Sequence, residues 1–359
     1  MRKVHIDNLV PGAILARPIY TTEGRILLSE GITLKQAYIN KIHMNSIYEI
    51  YIEDEMSSGV DVQDIILEQT RNEAKQLVRD FMSNTTLSKT LNSEEIKALI
   101  DNIINQLLEN DEIIINLSDI KSVDDYTFEH SVNVCIISLV IGMGLGYTRP
   151  KLKDLGVGAI LHDIGKLRIP AEILKKPSQL TVQEFEEIKK HSYYGYEILK
   201  KNPRLSMVSS FIALGHHERF DGSGYPLQLK GENIHQCARI VAVADVFDAL
   251  SSDRVYRKKL RPHEVIEYIT SLGSHHFDPE IVESFIKYVA LYPAGTGAVL
   301  NTMEKVLVVK DNRNFPTKPV VRVIYSADGI MLDEPYEIDL SERNDIFIND
   351  AYELGNLDM

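Results

Sequence analysis

Residues 161–167 read LHDIGKL, and residues 216–226 read HHERFDGSGYP. The first stretch carries the doublet His162-Asp163 and the second the doublet His216-His217. An imidazole beside a hard carboxylate suits a pair of cations, because one carboxylate can bridge two ions while neighbouring imidazoles complete their shells. Either doublet alone is commonplace. Together with His130, His191 and Asp245, each at a helical position, they point to a metal-dependent phosphohydrolase site inside a helical domain.

The surrounding residues set the direction of each side chain. His130 precedes Val134, Ile137 and Ile141 at helical spacing, so it faces a core. His162 closes a helix whose inward stripe is Leu152, Leu155 and Ala159. His191 shares a face with Ile188, Gly195 and Ile198, and Gly195 lets another backbone or a metal approach closely. Asp245 lies in RIVAVADVFDAL, residues 239–250, between Val241 and Ala249. A charge in so apolar a stripe must be paired, hydrogen-bonded or ligating. Taken singly, each of these residues is as well explained by an ordinary core position. The set of His130, His162, Asp163, His191, His216, His217 and Asp245 points to one shared metal site.

Working outward, the pattern predicts a multi-domain, mainly α chain. Residues 1–60 form a small β-rich unit, with a turn at Leu9 to Gly12, a hairpin loop at Thr21 to Gly24, a helix from Leu34 to Met44 and a strand from Ile47 to Ile52. The acidic stretch Glu53 to Asp64 reads as a linker. Residues 61–116 form a helical linker, with one amphipathic segment through Ile65, Ile66, Gln69, Glu73, Leu77 and Phe81 and a second from Glu94 to Leu108. Residues 117–290 form the all-helical domain, which Ser122-x-x-Asp125 opens as a capping box. Residues 291–359 form a C-terminal β unit, with Val299, Val306, Val308, Val309, Val320, Val321, Val323 and Ile324 in strands and residues 312–319 in a loop.

The chain has 359 residues, 44% hydrophobic and 25% charged, with a formal charge of −13. That balance argues against a general nucleic-acid binder, though not against a small anion held by metals and a few basic side chains. Cys135 and Cys237 are the only cysteines and sit in apolar helical runs, which predicts buried thiols rather than a disulfide framework. MRKVHIDNLVPG at the N-terminus has no apolar signal region. The longest apolar run, from Val132 to Leu145, is short of the roughly 20 residues that span a bilayer. These features predict a cytoplasmic protein with no membrane span. Gly142 to Gly146 lacks the context of a phosphate-binding loop and reads as a helix C-terminus. His275-His276 reads as part of a turn before the last helix.

Residues 117–290 resemble the HD-GYP family of the HD superfamily. The resemblance rests on YTFEHS (126–131), HDIGKLRIP (162–170), HSYYG (191–195), HHERFDGSGYP (216–226) and DVFDALSSDRVYRKK (245–259). Ser192 stands where the family usually has Pro. The resemblance implies hydrolysis of cyclic di-GMP to linear pGpG and on to GMP. It implies two divalent ions, iron or manganese, held by the seven residues above, with Asp163 bridging and catalytic. Two close cations lower the pKa of a bridging water, so that hydroxide can attack the phosphodiester in line. Some members hold a third metal with a Glu one turn before the first ligand His; that position is Tyr126 here, so two metals are expected.

The resemblance also places Lys166 in the pocket as a catalytic and substrate-binding residue, and Arg254 and Arg257 as substrate grips. On one unbroken helix Arg254 would point away from the metals, at about 100° per residue. Ser251-Ser252-Asp253 would have to end the helix to bring the arginines back. Gly224, Tyr225 and Pro226 form a tight loop at the substrate entrance. Another cyclic dinucleotide such as cyclic GMP-AMP, or a non-catalytic module that holds cyclic di-GMP, remains an alternative on the same residues. The N-terminal region is where a homodimer contact or a regulatory partner would attach.

Overall fold

In the computed structural model the residues described are 1–21, 25–45, 47–62, 64–83, 93–110, 115, 126–176, 178–251, 260, 262–273, 275–312, 315–352 and 354. The chain begins with β1 (Arg2–His5), β2 (Ile14–Leu15), β3 (Ile19–Tyr20), β4 (Ile26–Leu28), α1 (Gln36–Met44) and β5 (Glu49–Glu53). β5 is central in a three-stranded antiparallel sheet with β1 and β2, and β3 pairs with β4. Val4, Leu15, Ile50 and Ile52 point to one side and pack on Ile39 and Ile42 of α1. β1 alternates buried with partly exposed residues, whereas in β5 Tyr51 is buried too, among Met56, Val60 and Val62.

The stretch from Glu53 to Asp64 is not the free linker its acidic composition suggests. Met56, Val60 and Val62 are buried against Leu307 and Ile324 of the C-terminal sheet. Glu53, Glu55, Asp61 and Asp64 are exposed, while Met56, Val60 and Val62 each find a partner. Arg2 sits at the same junction, wholly buried, and donates to Asp54 at 2.7 Å and to the Leu354 carbonyl at 2.6 Å.

Two amphipathic helices follow, α2 (Glu68–Ser83) and α3 (Ser93–Glu109). Ile96, Leu99, Ile100, Ile103, Ile104 and Leu107 of α3 recur at helical spacing and are all buried. They join the same core as the helices that follow. Those helices are α4 (Tyr126–Gly144), α5 (Arg149–Ile160), α6 (Ala171–Leu174), α7 (Val182–Lys200), α8 (Met207–Gly215), α9 (Gln236–Ser251), α10 (Pro262–Ser271) and α11 (Pro279–Ile286). Residues 131 to 142 of α4 and 240 to 244 of α9 are buried on every face. A helix apolar all round belongs at the centre of a domain, and α4 and α9 pack on each other there. Both cysteines are buried and free. The Ser122–Asp125 capping box lies outside the described residues.

The C-terminal unit is a five-stranded antiparallel sheet in the order β10-β6-β7-β8-β9. Its strands are β6 (Gly297–Leu300), β7 (Lys305–Lys310), β8 (Val320–Tyr325), β9 (Met331–Asp339) and β10 (Ile348–Ala351). The fold class is thus a central helical domain flanked by small strand units. No helix among the described residues is long and apolar enough to cross a membrane.

One backbone contact positions the chemistry. A Cβ on Gly165 would lie 1.9 Å from the His191 carbonyl oxygen and 2.5 Å from the Gly195 nitrogen. The turn after His162-Asp163 therefore lies directly on the α7 backbone, and only glycine at 165 permits it. Gly165→Ala should force the two segments apart and cost at least about 1–3 kcal/mol by overpacking. A thermal melt as stable as the wild type would contradict this contact.

Candidate metal centre

Each element delivers its side chain for a local reason. His130 lies in the first turns of α4, and Asp245 lies mid-way along α9. Asp163 opens the short 3-10 turn Ile164–Arg168 that follows α5. His191 projects from α7, His216 caps the C-terminus of α8, and His217 follows it. All seven predicted ligands meet. Their donor atoms form two groups, Asp163 with His191, His216 and His217, and His130 with His162 and Asp245, the atoms within each group lying within 4.8 Å of one another.

Asp163 joins the groups. Its Oδ1 lies 3.4 Å from His191 Nε2 and 3.9 Å from His216 Nε2. Its Oδ2 lies 3.4 Å from His162 Nε2 and 4.0 Å from His130 Nε2. Asp245 spans the opposite side, 3.1 Å from His130 Nε2 and 3.7 Å from His217 Nδ1.

The imidazoles are locked by their far nitrogens. Nδ1 of His162 donates to the Ala159 carbonyl at 2.7 Å, that of His191 to Ile188 at 2.7 Å, and that of His216 to Ala213 at 3.0 Å. Each ring donates to a carbonyl of its own helical segment, so Nε2 is left as a lone pair aimed at Asp163. Two such lone pairs, on His191 and His216, face each other at 3.3 Å. The buried His162 Nε2 and Asp163 Oδ1 have no hydrogen-bond partner. Facing lone pairs and orphaned buried acceptors are costly unless a cation satisfies them. The donor set of imidazole nitrogens and carboxylate oxygens fits a divalent metal.

The electrostatics agree. Burial holds His191 below the usual imidazole range, pushes His216 well below it with help from His217, and lowers His217 to about 3. These shifts favour the neutral rings that ligation requires. Burial alone would raise the Asp163 carboxyl, but Lys166, His162 and His191 hold it well below the usual carboxylate range. His130 differs. Burial would lower it, yet Asp245 and Asp248 raise it to about 10. Flanked by two carboxylates, its position suits positive charge, whether a proton or a metal ion supplies it.

Asp248 was missed by the sequence reasoning. It is fully buried; its Oδ2 accepts from His130 Nδ1 at 2.7 Å and its Oδ1 from Asn133 at 2.9 Å. The signal was available: Asp248 is a charge in the same apolar helix that drew attention to Asp245. Glu218 was missed too. Its carboxylate accepts from the amides of Leu227 at 2.7 Å and Leu229 at 3.1 Å, tying down the chain just past the GYP stretch.

That stretch folds back onto the ligands. A Cβ on Gly224 would lie 2.3 Å from the Arg219 nitrogen and 2.5 Å from the His217 oxygen, and the Tyr225 ring packs tilted against the His217 ring with centroids 4.7 Å apart. The Tyr225–Pro226 peptide is cis. Lys166 places its ammonium on Asp163 Oδ2 and remains partly open to solvent. Arg254 and Arg257 lie outside the described residues, as does the Tyr126 side chain. Phe220 and Asp221 donate backbone hydrogen bonds to the carbonyls of His276 and His275, so that doublet sits in a supporting turn.

A family model described as an HD domain matches residues 114–281, and one described as a KOW domain associated with HD domain matches residues 298–358. A cyclic di-GMP phosphodiesterase of Pseudomonas aeruginosa is 33% identical over 254 residues, 71% of this chain and 61% of that protein. A cyclic di-GMP phosphodiesterase of Thermotoga maritima is 41% identical over 177 residues, 49% of this chain and 48% of that protein. A 3′3′-cGAMP-specific phosphodiesterase of Vibrio cholerae is 43% identical over 129 residues, 36% of this chain and 25% of that protein. The chain thus matches only part of each relative's length. Among solved structures, an HDG"Y"P protein from Bdellovibrio bacteriovorus aligns with a TM-score of 0.51 at 16% identity, over 79% of this chain and 97% of that one. This likeness concerns the fold.

Removing the Asp248 charge should weaken the centre without dismantling it. Asp248→Asn is expected to lower affinity for Mn²⁺ by about 10–100-fold, the usual cost of losing a partner behind a ligand His. Calorimetric titration tests this, and unchanged affinity in a folded variant would show that Asp248 does not hold His130.

Proposed function

We propose, from the HD-domain match over residues 114–281 and the 33% identity to a cyclic di-GMP phosphodiesterase, that this chain is a metal-dependent phosphodiesterase of the HD-GYP form that opens cyclic di-GMP. The observation that carries the proposal is Asp163, whose two oxygens face two separate groups of ligating atoms. The names of the relatives from Pseudomonas and Thermotoga support the substrate.

We assign one ion to His130, His162, Asp163 and Asp245, and a second to Asp163, His191, His216 and His217, with iron or manganese as the metals. When bound, such a pair supplies an activated water near neutral pH and offsets charge on the phosphodiester. The protein's own part is to keep Asp163 ionised, hold the histidines neutral and present their free nitrogens to one point. Lys166, partly open to solvent, is assigned to the phosphate, where its ammonium would offset the negative charge built up during attack. Water's oxygen joins phosphorus, the bond to the 3′ oxygen breaks, and that oxygen leaves as a hydroxyl. The product is linear pGpG, with GMP after a second cleavage.

Arg254 and Arg257 are assigned to the substrate's phosphates or bases. The loop through Gly224, Tyr225 and Pro226 is assigned to the entrance, supported by its packing on His217. We retain 1–60, 61–116, 117–290 and 291–359 as the working domain division, with regulation or dimerisation assigned to the N-terminal part. The cytoplasm is the compartment that this reading calls for, and two buried free thiols are compatible with it. A second reading, cleavage of cyclic GMP-AMP, is favoured by the likeness to the Vibrio enzyme of that name.

Chromatography of digests decides between these readings. Protein loaded with Mn²⁺ or Fe²⁺ should convert cyclic di-GMP to pGpG or GMP faster than it cleaves cyclic GMP-AMP. Asp163→Ala should yield no product, and equal turnover by that variant would refute the mechanism. Tight binding without turnover would instead mark a cyclic di-GMP receptor.

A further inference from the structure

The hydrogen bonds behind His130 do not stop at Asp248. Asn133 lies one turn further along α4 and is buried; its amide nitrogen donates to Asp248 Oδ1 at 2.9 Å. Its amide oxygen accepts from Arg71 Nη1 at 2.9 Å. Arg71 belongs to α2 and lies outside the residues matched by the HD-domain model. An unbroken line of polar contacts thus runs from a flanking helix to a candidate metal ligand: Arg71, Asn133, Asp248, His130.

The chemistry of each group fixes the direction of the line. A guanidinium only donates, and a carboxylate only accepts. Asn133 lies between them and could turn its amide either way. Arg71 requires the oxygen on its own side, which leaves the NH₂ for Asp248. Reversed, the amide would set oxygen against carboxylate and nitrogen against guanidinium. A cation that polarises the amide also strengthens its bond to the buried Asp248. Asp248 in turn holds Nδ1 of His130 and sets the aim of Nε2.

The position of Arg71 is itself secured. Its neighbour Thr70 accepts from Gln106 of α3 at 2.7 Å. One face further along α2, the Arg79 guanidinium sits 5.3 Å from the centre of the Phe128 ring, two residues before His130.

We propose that Arg71 is a positioning residue for the metal centre, acting through Asn133 and Asp248 on His130, so that α2 is a working part of the site. The inference rests on the metal-centre reading above. It predicts a weakened His130–His162–Asp245 group when Arg71 loses its donors, with the other group retained.

The test uses the full chain and Mn²⁺. Arg71→Met should lower affinity at one of two Mn²⁺ sites by about tenfold, at the low end for an outer-shell change, and leave the second site as in wild type. Arg71→Lys, which can still donate to Asn133, should recover most of the loss. Nitrogen NMR should show the His130 Nδ1 signal moving in Arg71→Met and returning in Arg71→Lys. Arg71→Gln serves if the methionine variant does not fold. A folded variant with both affinities and the His130 signal unchanged would overturn the relay alone. Failure of the wild type to bind Mn²⁺ at all would overturn the metal reading and the relay with it.

Discussion

A buried, ionised Asp163 with imidazole nitrogens on both sides is the constraint around which the helical domain is arranged. A carboxylate out of water is expensive unless it is paired and hydrogen-bonded. Here the compensation comes from Lys166 on one oxygen and from imidazoles around both. Lys166 and His162 share the turn with Asp163, but His191 could not reach it if that turn stood further from α7. The close approach at Gly165 and Gly195 is therefore a requirement of the chemistry as much as of packing.

Around that point the protein separates two jobs. The helices α5, α7 and α8 hold their histidines through carbonyls of their own backbones. That device is local and rigid, and it leaves one nitrogen of each ring free. His130 is held by a carboxylate from another helix, that of Asp248. Its orientation thus depends on how α9, and beyond it α2, pack against α4. The two candidate sites differ in how far their support extends through the molecule.

The flanking units are joined to each other as well as to the helices. Arg2, Met56, Val60 and Val62 from the N-terminal part meet Leu307, Ile324 and Leu354 of the C-terminal part. Arg322 adds hydrogen bonds to the carbonyls of Met56 and Ser58. The two ends of the chain thus pack on each other, and the segment from Asp64 continues into α2.

Much was legible in the sequence because its signals are local. The strand units, the helical centre and the inward direction of His130, His191 and Asp245 follow from periodicity, and the intact motifs carried the resemblance. The convergence of seven candidate ligands could be expected, yet their division into two groups about Asp163 appears only in three dimensions. Asp248, Asn133 and Glu218 escaped notice because each acts on a residue it meets only after folding, or on backbone amides that carry no side-chain signature. The acidic stretch from Glu53 to Asp64 misled for a related reason. Composition reports how many charges a segment has, whereas tertiary packing decides which few apolar side chains between them are buried. Residue types and spacing thus determined which chemistry the chain could hold; only the fold decided which atoms face one another, because hydrogen-bond direction and burial depend on partners distant in sequence.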